Sequence, residues 1–135
     1  MPRLAYLASI ARFVVLALGL PAVPTAKTDP YVRAALQATM QQHIDRNLVQ
    51  GAYLHLDTAT GNVVELYPVS PHPVIMRMGS VFVLCADFRK RNGVTVNVDF
   101  YLAKDNHRYV VFHAAVDQRH MLEKWMKAGK VARLD

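Results

Sequence analysis

Hydrophobic positions along the chain change their spacing near residue 52, from every third or fourth residue to every second residue. Before that point four apolar residues share one predicted helix face: Val32, Leu36, Met40 and Ile44. Asp29 precedes this stripe as an N-cap residue, and Pro30 suits the first helical position because its missing N–H needs no partner there. The pattern predicts a helix that begins near Pro30 and ends near Asn47, before Gly51.

After residue 52 the alternation predicts strands over residues 53–57, 63–67, 74–88, 94–103 and 108–116. Gly61 lies in the loop of the first hairpin, while Asn92-Gly93 and Asp105-Asn106 are predicted as tight turns. Residues 68–73 contain three prolines and are predicted to form an irregular crossing loop, and Gly79-Ser80 to bend the strand that follows. A closing helix is predicted between Asp117, as its cap, and Gly129. Its apolar face contains Met121, Leu122, Trp125 and Met126.

These elements predict one α+β domain, in which an N-terminal helix packs on a four- to five-stranded antiparallel sheet and a short C-terminal helix follows. The order resembles the cystatin-like architecture and the cone-shaped folds of nuclear transport factor and its relatives. Cystatins carry a Q-x-V-x-G motif in their first hairpin. Here Asn47-Leu48-Val49-Gln50-Gly51 has Asn in place of Gln and precedes the first predicted strand, so protease inhibition is not inferred.

The first 26 residues have the three parts of a secretory signal peptide. Arg3 and Arg12 are the only charged residues before Lys27, residues 13–23 are almost entirely apolar, and Pro24-Thr25-Ala26 supplies the exit. We predict cleavage after Ala26, which leaves a periplasmic or secreted domain of residues 27–135 without a membrane span.

Two alternatives to a cleaved signal peptide stay open. Residues 4–23 are long enough for a retained anchor, although Arg12 inside the membrane would cost about 2.5 to 3.5 kcal/mol, and the segment is also compatible with a buried core helix.

Charge and cysteine content narrow the classes of partner. Removing Arg3 and Arg12 from the 16 Lys and Arg leaves 14 against 10 Asp and Glu, so the predicted domain is basic. For an exported domain this favours an anionic envelope component over nucleic acid as a partner. The single cysteine, Cys85, has no intrachain disulfide partner and is predicted to be buried. The six histidines show no HxH or HExxH spacing, so neither a metal site nor a cofactor is predicted.

The hairpin around Asn92-Gly93 decides which residues share a sheet face. A two-residue turn there places Cys85 opposite Phe100, and Ala86 opposite Asp99. Both faces are then at least half apolar, so we expect the face turned away from the first helix to be covered or to form a pocket. The main hypothesis is an exported binding or interaction domain without catalysis. Its cover is a second copy of the chain or a small apolar ligand, and its binding residues are Asn97, Asp99 and Tyr101.

The alternative hypothesis is a small hydrolase or isomerase that uses Asp99 and His113 as an acid–base pair in a polar cavity on the sheet. Its geometry depends on the turn at Asp105-Asn106. A two-residue turn pairs Asp99 with Phe112, and this is the favoured register. A three-residue loop would instead pair Asp99 with His113.

Overall fold

The computed structural model describes residues 27–134. The predicted signal peptide, with its alternatives of anchor and core helix, lies outside these residues and stays a prediction. The elements follow the chain in this order: α1 Pro30–Arg46, β1 Leu48–Val49, β2 Ala52–Asp57, β3 Asn62–Met78, β4 Val81–Lys90, β5 Thr95–Asp105, β6 Arg108–Val116, α2 Arg119–Lys127 and β7 Ala132–Leu134. Between residues 27 and 134, no helix has the length and apolarity needed to cross a bilayer.

Helix α1 forms as its sequence predicts. The Asp29 carboxylate accepts a hydrogen bond from the Tyr31 N–H at 2.8 Å, which satisfies one free donor of the first turn. Leu36, Met40 and Ile44 are buried at four-residue intervals against the sheet. The cap and the apolar stripe therefore set both the start of the helix and the face that it buries.

The strands form one antiparallel sheet in the order β1-β2-β3-β4-β5-β6, and β7 pairs with β3. This confirms the α+β class with a helix before the sheet and a short helix near the C-terminus. The sheet has seven strands, and the short strands β1 and β7 account for the difference from the predicted number. Gln50 and Gly51, with φ of 51° and 82°, make the tight turn that folds β1 back onto β2.

The proline-rich residues 68–73 lie within β3, so the predicted crossing loop is wrong. β2 pairs with β3 only as far as Leu66, and β7 pairs from Ile75 onward. Between Leu66 and Ile75, β3 is paired only with β4, and the register between them shifts twice. The other side of β3 has no paired strand there. A proline whose missing N–H would point to that side therefore removes no hydrogen bond from the sheet. Gly79-Ser80, predicted as a bend within one strand, is the two-residue turn of the β3–β4 hairpin.

The β4–β5 hairpin differs from prediction by one residue. Lys90 N donates to Val94 O, and Gly93 N donates to Lys90 O, both at 2.9 Å. With φ of 87° at Gly93, this is a three-residue loop that ends in a left-handed bulge residue. The predicted pairing of Cys85 with Phe100 is therefore wrong, and Cys85 lies opposite Asp99.

The β5–β6 hairpin has neither of the two predicted registers. Asp105 pairs with Arg108, and the pairing is irregular between Tyr101 and Leu102. At that point β6 contains one extra residue, Phe112, because Leu102 pairs with Val111 and Tyr101 pairs with His113. Asp99 consequently lies opposite Ala115, and His113 lies opposite Tyr101.

Two buried clusters occupy the two faces of the sheet. Towards α1 the alternate residues of β5 are apolar and meet those of β4; this cluster includes Leu84, Phe88, Val98, Phe100 and Leu102. Towards α2 a smaller cluster forms around Leu122. The chain's own α2 packs on this second face, where we expected from the sequence a second copy of the chain or a small ligand as the cover.

Helix α2 begins after a tight turn at Asp117, which was predicted to cap it. Asp117 has a φ of 55° and its N–H donates to Asn97 O at 2.9 Å, so it ends the pairing of β6. Gln118 occupies the cap position without a side-chain hydrogen bond. Because β6 continues to Val116, the chain must reverse at Asp117 before the helix starts.

Candidate functional site

Four polar side chains lie together on the sheet face below α2. Cys85 pairs with Asp99, and Asp87 pairs with Asn97, on adjacent strands β4 and β5. Because side chains two residues apart point to the same side of a strand, all four share one face. The three-residue loop at Gly93 closes the hairpin in the register that produces this grouping.

Asp99 is the buried centre of the group, with 1% of its surface exposed. The Cys85 thiol donates a hydrogen bond to Asp99 Oδ1 at 2.8 Å. Arg119, the first residue of α2, places Nη1 at 3.2 Å from the same oxygen and at 3.1 Å from Cys85 Sγ. The start of α2 thus supplies a cation that balances a carboxylate inside the protein.

Burial controls the protonation of this group. Desolvation raises the pKa of Asp99, although its contacts with Cys85 and Arg119 act in the opposite direction. Burial, reinforced by the hydrogen bond to Asp99, raises the pKa of the Cys85 thiol to about 12. Burial also raises the pKa of Tyr101 to about 12. The thiol and the phenol are therefore protonated near neutral pH and are not prepared to act as nucleophile or base.

A second polar pair flanks the first. His72 Nε2 lies 2.9 Å from Asp87 Oδ2, and Asn97 Nδ2 donates to Asp87 Oδ1 at 3.4 Å. The hydrogen bond from His72 is the main reason that the pKa of Asp87 is lowered. Within residues 27–134 the buried Oδ1 of Asn97 has no hydrogen-bond partner. The proline-rich part of β3 therefore places His72 beside the buried group.

A cavity of about 290 Å³ opens between α2, β3 and β4 above these residues. It is lined by His72, Val74, Met76, Cys85, Arg119, Glu123, Met126 and Arg133. Its walls are mainly apolar, and its polar lining residues include Cys85 and Arg119, which contact each other. Small-molecule sites have this combination of apolar lining and a few placed polar groups.

A larger depression of about 550 Å³ lies near the β4–β5 loop, between Leu54, Val63 and Arg91. It shares no residue with the buried polar group. The exposed pair between Arg91 and Glu65 is its main polar feature. We therefore place the candidate site in the smaller cavity, where buried chemistry and concave shape coincide.

The three predicted binding residues, Asn97, Asp99 and Tyr101, alternate along β5 and share one of its faces, but none of them lines the cavity. The predicted acid–base partners are not joined by a hydrogen bond, since Asp99 bonds to Cys85 and Arg119. His113 is exposed and lies beside Tyr101, with 5.5 Å between ring centroids. The register of the last hairpin, together with its extra residue in β6, produces this separation.

Sequence reasoning missed three residues of the site: His72, Cys85 and Arg119. Cys85 precedes Asp87 by two positions, so the two share a face in any strand. Their grouping with Asp99 depends on the register between β4 and β5. Arg119 is brought in by tertiary packing of α2, for which the sequence carries no local signal.

Between residues 27 and 134, no group of three or more His, Cys, Asp and Glu side chains is placed to hold a metal ion. A scan against protein-family models and searches of curated proteins and of solved structures found no match to this chain. The case for a function therefore depends on the residues of the cavity.

Proposed function

We propose that this chain is an exported binding domain that holds a small ligand in the cavity under α2 and catalyses no reaction. The observation that carries the proposal is the cavity itself, about 290 Å³ with mainly apolar walls. Its polar lining residues are His72, Cys85, Arg119, Glu123 and Arg133. The sequence of residues 1–26 supports export, because a basic start, an apolar middle and a small-residue exit follow one another.

The protonation of the site favours binding over catalysis. A thiol with a pKa of about 12 is a poor nucleophile near neutral pH. The alternative of a hydrolase or isomerase requires Asp99 to exchange protons with His113. The partners that Asp99 has are Cys85 and Arg119, which hold it in place.

The packing of α2 favours a small ligand over a second copy of the chain as the occupant of this face. Leu122 is fully buried against the sheet, and Trp125 and Met126 pack around the same cluster.

The proposal also includes a cystatin-like architecture for this domain. It is supported by a helix followed by an antiparallel sheet with consecutive neighbours, and it carries no inhibitory activity to this chain.

Binding is tested with 1-anilinonaphthalene-8-sulfonate, a fluorescent anion with an apolar body. Trp125 is the single tryptophan and packs against the cluster beside the cavity, so energy transfer from it reports dye bound nearby. Val74→Phe, which fills the cavity, is expected to weaken binding about tenfold, or about 1.4 kcal/mol. The matched control is Val69→Phe in the same strand, because Val69 is 49% exposed and lies outside the cavity. Equal dye binding by both variants would reject the cavity as the site.

Export is tested separately by the intact mass of the protein recovered from the envelope fraction of the producing cell. A mass equal to residues 27–135 is expected. Recovery of the chain only from the cytosol, with Met1 to Ala26 still attached, would reject export and leave the binding proposal to be judged by the dye.

A further inference from the structure

Four side chains with soft or borderline metal-binding atoms line the same cavity: His72, Met76, Cys85 and Met126. Met76 and Cys85 belong to one buried cluster on the sheet, and Met126 packs against it from α2. The lining of the cavity therefore includes two methionines, one cysteine and one histidine. No pattern in the sequence predicts this set, because its members come from β3, β4 and α2.

This donor set selects among metals. Thiolate and thioether sulfur prefer Cu(I), whereas carboxylates and water suit Mg²⁺ and Ca²⁺. A structural Zn²⁺ site uses four Cys, His or acidic ligands. Within the described residues no group of even three such side chains is placed for a metal. Met76 and Met126 add two thioether sulfurs to the histidine and the cysteine. Because thioethers bind Cu(I) and are not usual Zn²⁺ ligands, this donor set favours Cu(I).

The neighbours of these donors have the arrangement of an outer ligand shell. His72 Nε2 is held by Asp87 Oδ2 at 2.9 Å, which leaves Nδ1 as the nitrogen for a metal. A ligating histidine commonly has its other ring nitrogen hydrogen-bonded to a carboxylate in this way. Cys85 is held between Asp99 and Arg119, so its sulfur also has a fixed environment.

The charge balance of the buried group permits a monovalent cation. Beside the thiol, the Asp99 carboxylate already has the Arg119 guanidinium as its counter-charge. When Cu(I) binds, a copper–sulfur bond forms, the S–H bond breaks and the thiol proton goes to solvent. The added metal charge replaces the charge of the lost proton, so the net charge of the buried group is unchanged. A divalent ion would leave an extra buried charge, which is costly.

We propose that the ligand of this cavity is Cu(I), bound by the Cys85 thiolate with His72 and the thioethers of Met76 and Met126. This inference rests on the proposed function, since it names the occupant of the same site. In this proposal the domain binds Cu(I) in the compartment to which the chain is exported.

The test is an anaerobic competition in which the purified protein is titrated with Cu(I) held by the chromophoric chelator bicinchoninate. One equivalent is expected to transfer to the protein with release of one proton, while Zn²⁺ added alone is not retained. Cys85→Ser, which keeps a hydrogen-bond donor towards Asp99, is expected to weaken Cu(I) binding at least about 100-fold. Asp87→Asn, which acts through His72, is expected to weaken it about tenfold.

Met126→Leu and Met121→Leu form the matched pair, because both lie on α2 and only Met126 lines the cavity. The first is expected to weaken Cu(I) binding about tenfold and the second to leave it unchanged. This pair keeps the test decisive if Cys85→Ser does not fold. Failure to take Cu(I) from the chelator, or equal binding by the two methionine variants, would overturn the inference. Dye binding that still responds to Val74→Phe would then leave the proposed binding function intact.

Discussion

Replacing Arg119 with Met removes the cation beside a carboxylate that has almost no contact with solvent. Asp99 is 1% exposed, and 3.2 Å separates its Oδ1 from Arg119 Nη1. At an effective dielectric constant of about 20, unit charges at that separation attract by about 5 kcal/mol. The Arg119 side chain is 38% exposed, so water screens part of this attraction. We expect Arg119→Met to lower the free energy of unfolding by about 2 to 3 kcal/mol near neutral pH.

The loss of unfolding free energy caused by Arg119→Met depends on pH, and the pKa of Asp99 determines whether the loss grows or shrinks as pH rises. Burial raises this pKa above the ordinary 3.8, so the folded state holds the proton more tightly than the unfolded chain does. The resulting stability is fully present below 3.8 and is lost as pH rises through the folded pKa. Without Arg119 the folded pKa rises further. The difference between the two proteins is therefore largest near neutral pH and shrinks towards pH about 4.

The assay is urea unfolding followed by the fluorescence of Trp125, at both pH values. Asp99→Asn combined with Arg119→Met removes both charges and is expected to recover part of the lost stability near neutral pH. Arg108→Met is the control, because its pair with Asp105 is exposed and should contribute less than about 1 kcal/mol. A cost of Arg119→Met that is the same at both pH values, with no relief from Asp99→Asn, would show that Arg119 stabilises the domain through packing and not through its charge.

Three further predictions follow from packing and register. Cys85 is 1% exposed, and the pKa of its thiol is about 12, so iodoacetamide at mildly alkaline pH should alkylate it only when denaturant is added, as seen by intact mass. Leu122→Ala removes the fully buried contact of α2 and should cost about 2 to 5 kcal/mol in urea unfolding. Deleting Arg91 leaves a two-residue turn between the same flanking residues, so cross-strand NMR contacts should still place Cys85 opposite Asp99. Loss of those contacts would show that burial of the apolar face does not hold the register by itself.

The elements that the sequence predicts correctly depend on local signals. α1 has its cap residue, its first-turn proline and its apolar stripe within the segment itself, and its observed bounds are Pro30–Arg46. Strand β6 coincides with its predicted residues 108–116 because alternation and a turn bound it. For such elements the interactions that decide the structure are close together in the chain.

The elements that the sequence misses depend on distant partners. β3 continues through three prolines because its outer side has no ladder partner there, and the prolines cannot reveal this. β7 has only three residues and exists because β3 offers a free edge at Ile75. His72 and Arg119 reach the site through these long-range arrangements, so neither was predictable from its own neighbours.

The register of β4 and β5 could be predicted from burial, although Asn92-Gly93, taken as a two-residue turn, predicted a register that is wrong by one residue. The predicted register places Asp99 on the face of Ala86 and Phe88, among apolar side chains, where an unpaired carboxylate costs several kcal/mol. The observed register joins Leu84 to Phe100 and sends every second residue of β5 towards α1. A one-residue shift exchanges the two faces of a strand, so segregation of apolar side chains outweighs the preference of one turn. The same segregation brings Cys85 beside Asp99, and the candidate site is thus a consequence of how the main core packs.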